Sequence, residues 1–228
     1  MKDDDRPPVQ AHLRFAADQA SFECLDLRAR FVRIHATNLW GAATSVSGLG
    51  SEQAATGALA VGLPRLLREL KIASLLDAPC GDAGWINRIG LGLPYTGVDI
   101  VPAIVAGLQR RVEAGELKGR YLLADITRDP LPRADAVLCR DCLVHLSFAR
   151  IAGAVDNLRR SGATWLITTT FTDLQANHDC EDGDWRALNL CRPPFAWPAP
   201  AALLDERCDE AGGGYRDKNL GAWRLDSI

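Results

Sequence analysis

Apolar residues recur at helical spacing in the first part of the chain and then give way to short apolar runs. Residues 11–34 place apolar side chains among charges at intervals that predict one helix. Small, turn-prone residues over 38–51 end this pattern. Ser51 is a good N-cap for a helix over 51–59, and Pro64 predicts that a new helix begins there and runs toward Leu70.

From residue 72 onward, short apolar runs alternate with helical segments. The runs predict strands at 72–76, 95–98, 120–124, 134–139 and 164–170, and the segments between them predict helices at 85–89, 101–114 and 148–160. Such alternation is typical of βαβ units that form a parallel sheet covered on both faces. After a long polar loop over 173–200, the sequence predicts a helix over 200–210 and two strands, 215–220 and 222–228, that turn near Gly221.

Composition narrows the class of protein. The chain has 228 residues, 47% of them hydrophobic, which is enough for one sizeable core. A net charge of −3 with dispersed basic residues gives no general attraction to nucleic acid. The charged segment 1–8 does not resemble a signal peptide, no run of about 18 apolar residues predicts a membrane span, and the seven cysteines lack regular spacing. We therefore expect a cytoplasmic protein with reduced thiols and no membrane partner.

Three predicted strands end in aspartate, at Asp77, Asp99 and Asp125. Ligands of open α/β sheets bind beyond the carboxyl ends of the strands, so these carboxylates should face one crevice. Asp99 follows Asp77 by 22 residues, which matches the spacing from a glycine-rich turn to an acid that binds a ribose. The turn at 79–84 leads into a helix whose first N–H groups point toward an anion.

The turn departs from a dinucleotide-binding pattern. It has Pro79, Gly81 and Ala83 where such proteins need three glycines, the second of which lets the backbone approach a pyrophosphate. A nicotinamide-dependent oxidoreductase is therefore disfavoured. A nucleoside ligand that carries only a carboxylate and an amine does not need such a close approach of the loop backbone.

Residues 72–170 resemble the core of the class I S-adenosylmethionine-dependent methyltransferases. Residues 75–84 resemble the first motif of that family, Asp99 matches the acid on the cofactor ribose, Asp125 matches the acid on the adenine amine, and 135–146 resembles the fourth-strand motif. Segments 40–41, 45–51, 185–190, 193–195 and 217–223 resemble a group of small bacterial methyltransferases. The resemblance names no single substrate.

The resemblance implies an α/β fold and S-adenosylmethionine as the cofactor. The fold is a Rossmann-like, mostly parallel seven-stranded sheet with helices on both faces and a C-terminal antiparallel hairpin. We expect residues 1–50 to form a helical extension or lid packed on a core domain of residues 51–228. The expected cofactor-binding residues are Asp77, Ala78, Pro79, Cys80, Gly81, Trp85, Asp99, Ile100, Asp125, Ile126, Cys139 and Arg140.

Methyl transfer from a sulfonium needs alignment above all, and a base only where the acceptor is protonated. His145 and Asp141 are the candidate catalytic residues. His145 is alternatively a packing residue of a first helical turn, and Asp141 is alternatively a substrate ligand or a helix cap. Arg140 either holds an anionic group or pairs with Asp141, and the pair is favoured. Cys139 and Cys142 are expected to be structural thiols, because no second cysteine pair stands at a matching distance.

The long loop after the fifth predicted strand, 164–170, is a candidate lid. With the N-terminal segment, it supplies the expected acceptor-binding residues Trp40, Ser47, Ser51, Trp185, Arg186 and Asn189, although the tryptophans could equally pack the extension onto the core. The polar cluster over 177–182 is expected to be a solvated loop, with no metal bound.

The sequence favours methylation of an oxygen or nitrogen on a small molecule, such as a sugar or a specialised metabolite. A nucleic-acid or protein methyltransferase is a weaker alternative, because Arg140-Asp141-Cys142-Leu143 stands where amine-methylating nucleic-acid enzymes carry Asn/Asp-Pro-Pro-Tyr. A non-catalytic module that binds S-adenosylmethionine is another alternative. The acceptor and the oligomeric state stay open, a homodimer included.

Overall fold

The computed structural model describes residues 6–228 and has one seven-stranded sheet at its centre. The strands are β1 (Leu75–Asp77), β2 (Tyr95–Asp99), β3 (Arg120–Leu123), β4 (Ala136–Cys139), β5 (Trp165–Phe171), β6 (Ala202–Asp205) and β7 (Lys218–Arg224). Their order across the sheet is β3-β2-β1-β4-β5-β7-β6. The first five strands pair in parallel, whereas β7 runs antiparallel to both β5 and β6. The mostly parallel sheet with a C-terminal antiparallel pair is thereby confirmed. Residues 1–5 of the charged N-terminal segment lie outside the described residues.

Seven helices accompany the sheet within residues 6–228. They are α1 (Gln10–Ala17), α2 (Leu27–Thr37), α3 (Gly57–Glu69), α4 (Gly84–Ile89), α5 (Pro102–Glu113), α6 (Phe148–Arg160) and the short α7 (Glu210–Gly213), with 3₁₀ turns at Gln19–Phe22, Leu49–Ser51 and Leu143–His145. The start of α6 coincides with the predicted boundary, and Ser147 caps it by accepting a hydrogen bond from the Arg150 N–H. Within residues 6–228, no helix is both long and apolar enough to cross a bilayer.

The sheet separates two hydrophobic clusters, as the two-residue period of a strand requires. Leu75 and Leu138 belong to one cluster with α3 and α5, whereas Leu76 and Val137 belong to the other with α6. Strands buried on both faces explain the continuous apolar runs in the sequence. Because β1, β2 and β4 are parallel, the residues that follow them meet at one edge of the sheet.

The N-terminal helix differs from its prediction. Instead of one helix over 11–34, the chain forms α1 and α2 with a break between them. Cys24 lies in the left-handed region at φ 60°, which a helix cannot include, and the Asp26 carboxylate accepts the Ala29 N–H as the cap of α2. Phe15 and Phe22, from α1 and the break, pack together at 4.7 Å between ring centroids. The broken chain thereby buries both rings.

Pro64 does not begin a helix, contrary to the prediction. The helix over 51–59 is also absent, because residues 49–51 form a 3₁₀ turn and α3 runs from Gly57 to Glu69 with Pro64 inside it. Leu59, Leu63, Leu66 and Leu67 of α3 are buried. Burial of this continuous apolar stripe outweighs the hydrogen bond that a proline removes from a helix.

The prediction for the C-terminal region was wrong in detail. Residues 202–205, predicted as helix, form the edge strand β6, and Gly221 lies inside the continuous strand β7. The connection between the two strands spans 206–217. Leu204 faces α3, where it lies against Gly62, while Leu203 is exposed. Pairing with a strand that follows in the sequence decides the conformation of this segment, and local propensity does not carry that information.

Candidate functional site

A cleft opens at the carboxyl ends of β1, β2 and β4. It is lined by the strand-end carboxylates Asp77, Asp99 and Asp125, by loop residues Pro79, Cys80 and Gly81, by Trp85, Ile100, Ile126 and Thr127, by Arg140, Asp141, Cys142 and His145 after β4, and by Leu27, Phe31, Trp40, Val46, Ser47 and Ser51 from the N-terminal segment. The parallel sheet and the N-terminal segment therefore share one site. We call it the strand-end cleft.

Asp77 ends β1 and is almost completely buried. Its Oδ2 accepts a hydrogen bond from the Tyr95 hydroxyl at 2.7 Å. Burial raises the pKa of Asp77 to about 7, although the Tyr95 hydrogen bond and the Arg140 charge both act in the opposite direction. The ionisation of Asp77 is thus poised near neutral pH.

Asp99 ends β2 and is held by the backbone. Its Oδ2 accepts the Gly81 N–H at 3.0 Å and its Oδ1 accepts the Val101 N–H at 2.9 Å. Burial raises the pKa of Asp99 to about 6, while the backbone hydrogen bonds lower it. Each carboxylate oxygen keeps a lone pair beyond these two bonds, so the group can accept hydrogen bonds from neighbouring hydroxyls.

Asp125 follows β3 and is fixed within its own loop. Its Oδ1 accepts from the Thr127 N–H at 2.9 Å and from the Thr127 hydroxyl at 2.7 Å. Its Oδ2 lies 3.1 Å from Nε of the largely exposed Arg128. The three strand-end carboxylates are therefore each oriented by a different neighbour.

The loop after β1 passes close beneath the N-terminal segment. Gly81 adopts φ +52°, and a Cβ at this position would collide with Oγ of Ser47. That Oγ accepts the Asp82 N–H at 2.8 Å, and the Ser45 hydroxyl donates to Asp82 Oδ2 at 2.7 Å. Two serines thus fasten the N-terminal segment to the loop that begins the cleft.

A buried network of charges follows β4. Oε2 of Glu206 accepts from Nη2 of Arg140 at 2.6 Å and lies 3.5 Å from Nζ of Lys218. Lys218 Nζ also donates to Oδ2 of Asp141 at 2.8 Å, and Arg140 Nη2 lies 3.3 Å from the same oxygen. Burial by itself would raise the pKa of Asp141, but Arg140 and Lys218 hold it well below its usual range. The predicted pair between Arg140 and Asp141 is present, within a larger set.

His145 is buried in the 3₁₀ turn after β4. Its Nδ1 lies 2.7 Å from the Asp184 carbonyl oxygen, which can only accept, so Nδ1 carries the proton. Its ring stacks on Trp40 with 4.5 Å between centroids. Burial lowers the pKa of His145 to about 4, so the ring is neutral at pH 7 and Nε2 is an acceptor.

The structure brings most of the expected site residues together. Of the expected cofactor-binding set, all but Ala78 and Cys139 line the strand-end cleft, and those two are fully buried beside it. Trp40, Ser47, Ser51, Asp141 and His145 line it as well. Cys139 and Cys142 are buried free thiols.

Trp185, Arg186 and Asn189 do not line the strand-end cleft. Trp185 packs edge-on against Phe171 and Tyr215. Arg186 donates to the backbone carbonyls of the 3₁₀ turn that carries His145, and the Asn189 amide donates to backbone carbonyls of its own loop. These contacts place the three residues in the packing and loop structure around the cleft rather than in its wall.

Glu206 and Lys218 escaped the sequence analysis. They stand 66 and 77 residues after their partners Arg140 and Asp141. In the sequence they stand out only as a Glu and a Lys that flank the C-terminal strands. Their contact with Arg140 and Asp141 follows from the pairing of β5, β6 and β7, which the sequence does not show. The 177–182 loop is tied to the helices: Glu181 pairs with Arg30, and Asp182 accepts the Ser147 N–H.

Comparison with known proteins is consistent with this geometry. Residues 75–162 match the family model of a methyltransferase domain. The magnesium protoporphyrin IX methyltransferase from Synechocystis PCC 6803, solved with bound S-adenosylmethionine, is similar in fold with a TM-score of 0.58 and 13% identity over 89% of this chain and 98% of that chain. The methyltransferase domain of a bacterial Hen1 protein has a TM-score of 0.53 and 14% identity over 75% of this chain and 98% of that one. No curated protein sequence matches the chain.

A third solved structure, a protein from Pyrococcus horikoshii OT3, has 19% identity and a TM-score of 0.44. The match covers 52% of this chain and 58% of the length of that protein. Residues 75–162 therefore carry a methyltransferase domain, and the whole chain has the fold of a methyltransferase that was solved with S-adenosylmethionine bound. The strand-end cleft suits S-adenosylmethionine, since buried carboxylates can accept hydrogen bonds from hydroxyl groups and attract a cation.

Proposed function

We propose that this protein transfers the methyl group of S-adenosylmethionine to an oxygen or nitrogen of a small molecule, either a sugar or a specialised metabolite. The observation that carries the proposal is the neutral His145 ring in the wall of the strand-end cleft, with Nδ1–H fixed by the Asp184 carbonyl and Nε2 ready to accept a proton. A base in this state is useful for an acceptor that carries a proton, such as a hydroxyl.

In this proposal the strand-end carboxylates hold the cofactor. Asp99 accepts hydrogen bonds from the ribose hydroxyls, and Asp125 accepts one from the adenine amine. The loop over Asp77–Gly81 faces the methionine part. The backbone donors on Asp99 support its role, because they fix the carboxylate before any ligand arrives. The roles of Ile100, Ile126 and Trp85 are apolar contacts along the same wall.

When bound, S-adenosylmethionine supplies a methyl group on a sulfonium, whose sulfur leaves as a neutral thioether. The chain aligns the acceptor oxygen with that methyl group and excludes water. As the O–CH₃ bond forms and the S–CH₃ bond breaks, the hydroxyl proton passes to Nε2 of His145. Arg140 and Lys218 hold the pKa of Asp141 well below its usual range and below that of His145, so Asp141 is the weaker base of the two and we assign it a role in positioning.

The enclosure of the site supports a small acceptor. Trp40 stacks on His145, and Ser45 and Ser47 hold the N-terminal segment against the loop of Asp82. A polymer has little room between these surfaces. The net charge of −3 also gives no attraction to nucleic acid.

The test begins with calorimetry of S-adenosylhomocysteine, followed by a screen of small acceptors with a labelled methyl donor. For a hydroxyl acceptor found in this way, His145→Gln should lower kcat about 100-fold, in the range typical of a lost general base. The affinity for S-adenosylhomocysteine should stay within a few-fold of wild type, because the strand-end carboxylates are intact.

His178→Gln is the matched control, since this histidine is exposed and does not line the cleft. Absence of S-adenosylhomocysteine binding by folded protein contradicts the proposal. Label that enters only nucleic acid or protein contradicts the choice of a small acceptor, and an unchanged kcat in His145→Gln contradicts the role of that residue.

A further inference from the structure

A second cleft adjoins the strand-end cleft on the far side of Arg140. It is lined by Leu49, Gly50, Glu52, Ala54 and Ala55 of the N-terminal segment, by Arg140 and Lys218, and by Glu206, Arg207, Cys208, Asp209, Glu210 and Ala211 of the connection between β6 and β7. We call it the Glu206 cleft. Arg140 lines both clefts, so a ligand in one lies beside the other.

The boundary between the two clefts is thin. A Cβ on Gly50 would lie 2.7 Å from Oδ2 of Asp141 and 3.7 Å from Nη2 of Arg140. Asp141 lines the strand-end cleft, while Gly50 lines the Glu206 cleft. Only backbone therefore separates the Glu206 cleft from the charged groups near His145.

The network of charges after β4 is neutral as a whole and contributes Arg140, Lys218 and Glu206 to the wall of the Glu206 cleft, while Asp141 lines the strand-end cleft. Two cations, Arg140 and Lys218, are paired with two carboxylates, Asp141 and Glu206. Each cation is therefore already compensated. A wall of this kind presents hydrogen-bond donors and acceptors together without a strong net field.

Glu206 has hydrogen-bonding capacity in excess of this network. Both Nε and Nη2 of Arg140 donate to Oε2 of Glu206, whereas the buried Oε1 has no hydrogen-bond partner among residues 6–228. Buried carboxylate oxygens are normally satisfied, so an unpartnered one calls for an explanation. Because Glu206 lines the cleft, this oxygen is an acceptor that the wall of the cleft holds in reserve for a donor group.

Charge limits the class of ligand. An anion entering the cleft meets Glu206, Glu52, Asp209 and Glu210, and a cation meets Arg140, Lys218 and Arg207. A neutral molecule with several hydroxyls avoids both conflicts, because each hydroxyl both donates and accepts.

We propose that the Glu206 cleft binds the methyl acceptor and that this acceptor is a neutral, polyhydroxylated molecule of the sugar class. One hydroxyl donates to Oε1 of Glu206, others contact Arg140 and Lys218, and a further hydroxyl reaches past Gly50 to Nε2 of His145. The inference rests on the proposed function and adds the substrate class and the residues that select it.

The experiment measures binding of p-nitrophenyl glycosides to the protein saturated with S-adenosylhomocysteine, by ligand-observed NMR. The neutral probes are the glucoside, galactoside, mannoside, fucoside and rhamnoside, and the charged probes are the glucosaminide and the glucuronide. At least one neutral glycoside should bind at least tenfold more tightly than both charged probes and than p-nitrophenol.

Two variants locate the binding. Glu206→Gln should weaken that glycoside at least tenfold. Because this change touches a buried network, Ala54→Trp is the second variant: Ala54 is exposed and lines only the Glu206 cleft, so the indole blocks the cleft without disturbing the core. In Ala54→Trp, glycoside binding should be lost while the affinity for S-adenosylhomocysteine stays unchanged. Glu69→Gln, on the exposed pair with Arg65, is the matched control and should change neither.

Several outcomes overturn the inference. One is that no neutral glycoside binds the complex, and another is that a charged probe binds best. A third is that glycoside binding survives in Ala54→Trp. If, in any of these cases, the labelled methyl group enters another small molecule, the proposed function stands and only the sugar class fails. If S-adenosylhomocysteine itself does not bind, both proposals fail together.

Discussion

The two ends of the site are held in position by different parts of the chain. At the carboxylate end, Asp99 and Asp125 bind backbone or side-chain donors 2 to 18 residues away. At the network end, Arg140 and Asp141 depend on Glu206 and Lys218, 66 and 77 residues later. The first end needs little more than strands that stop at the right residue, whereas the second needs the whole sheet.

This difference has a physical consequence. Backbone N–H donors survive substitution of neighbouring side chains, so the carboxylate end tolerates change around it. Side-chain ion pairs in a buried place are lost with either partner, and each loss leaves an uncompensated charge. We therefore expect stability to depend more strongly on the network end, and cofactor affinity more strongly on the carboxylate end.

The largest effect should come from Lys218→Met. It leaves two buried carboxylates with one cation, and we expect a loss of about 3–5 kcal/mol in the free energy of unfolding at pH 7, measured by urea denaturation. The lowered pKa of Asp141 contributes stability that is present above its unfolded value near 3.9 and declines as the pH falls below it, so the difference between variant and wild type should shrink in acid. Arg65→Met, on an exposed pair, is the control and should leave the free energy of unfolding close to that of the wild type. Equal losses in both variants would contradict the contrast.

The second-largest effect should come from Asp99→Ala. We expect it to reduce the affinity for S-adenosylhomocysteine about 100-fold, which corresponds to about 2.7 kcal/mol. The reason is the loss of charge-assisted hydrogen bonds to the ribose. Calorimetry measures the change, and Asp156→Asn, at an exposed carboxylate that pairs with Arg159 outside the cleft, serves as the control. An unchanged affinity in folded Asp99→Ala would remove the ribose assignment.

Tyr95→Phe tests how the Tyr95 hydroxyl affects the ionisation of Asp77. The Tyr95 hydrogen bond lowers the pKa of Asp77, so its removal should raise that pKa above its value of about 7. Ionised Asp77 favours the sulfonium, hence affinity for S-adenosylmethionine should rise with pH through about 7 in the wild type and at higher pH in the variant. Calorimetry between pH 6 and 9 measures the shift. Tyr121→Phe removes a neighbouring hydroxyl that does not contact Asp77, and its pH profile should match the wild type.

The smallest effect should come from Ser47→Ala. It removes the acceptor of the Asp82 N–H and should weaken S-adenosylhomocysteine binding a few-fold, equivalent to about 1 kcal/mol. Thr44→Ala, in the same segment but on the side of Glu52, is the control. A loss as large as that of Asp99→Ala would mean that the N-terminal segment, rather than the carboxylates, dominates cofactor binding.

Much of the fold could be predicted because β1 to β5 are short apolar runs, of which β1, β4 and most of β5 are buried on both faces. The ends of these strands also located Asp77, Asp99 and Asp125, since parallel strands bring their carboxyl ends to one edge. The predictions failed where a distant partner decides the outcome, as at β6, which pairs with β7, and at Pro64, which α3 includes for the sake of its buried leucines.

The site divides in the same way. Local spacing placed His145 and Asp141 in the cleft, but the neutral state of His145 depends on its burial, and its tautomer depends on the Asp184 carbonyl. Trp185, Arg186 and Asn189 resembled site residues by their position in a long loop, and the structure gives them packing and backbone-binding positions.

The sequence by itself determined the parallel core, the three strand-end carboxylates and the loop that suits a nucleoside with a small polar tail. These features follow from hydrophobic periodicity and from residues close together in the chain. Only the tertiary structure decided which charges are buried together at Arg140, Asp141, Glu206 and Lys218, and that a second cleft lies beside the first. The reason is that desolvation and ion pairing depend on distance in space, and the antiparallel pairing of β7 sets that distance between residues far apart in the chain.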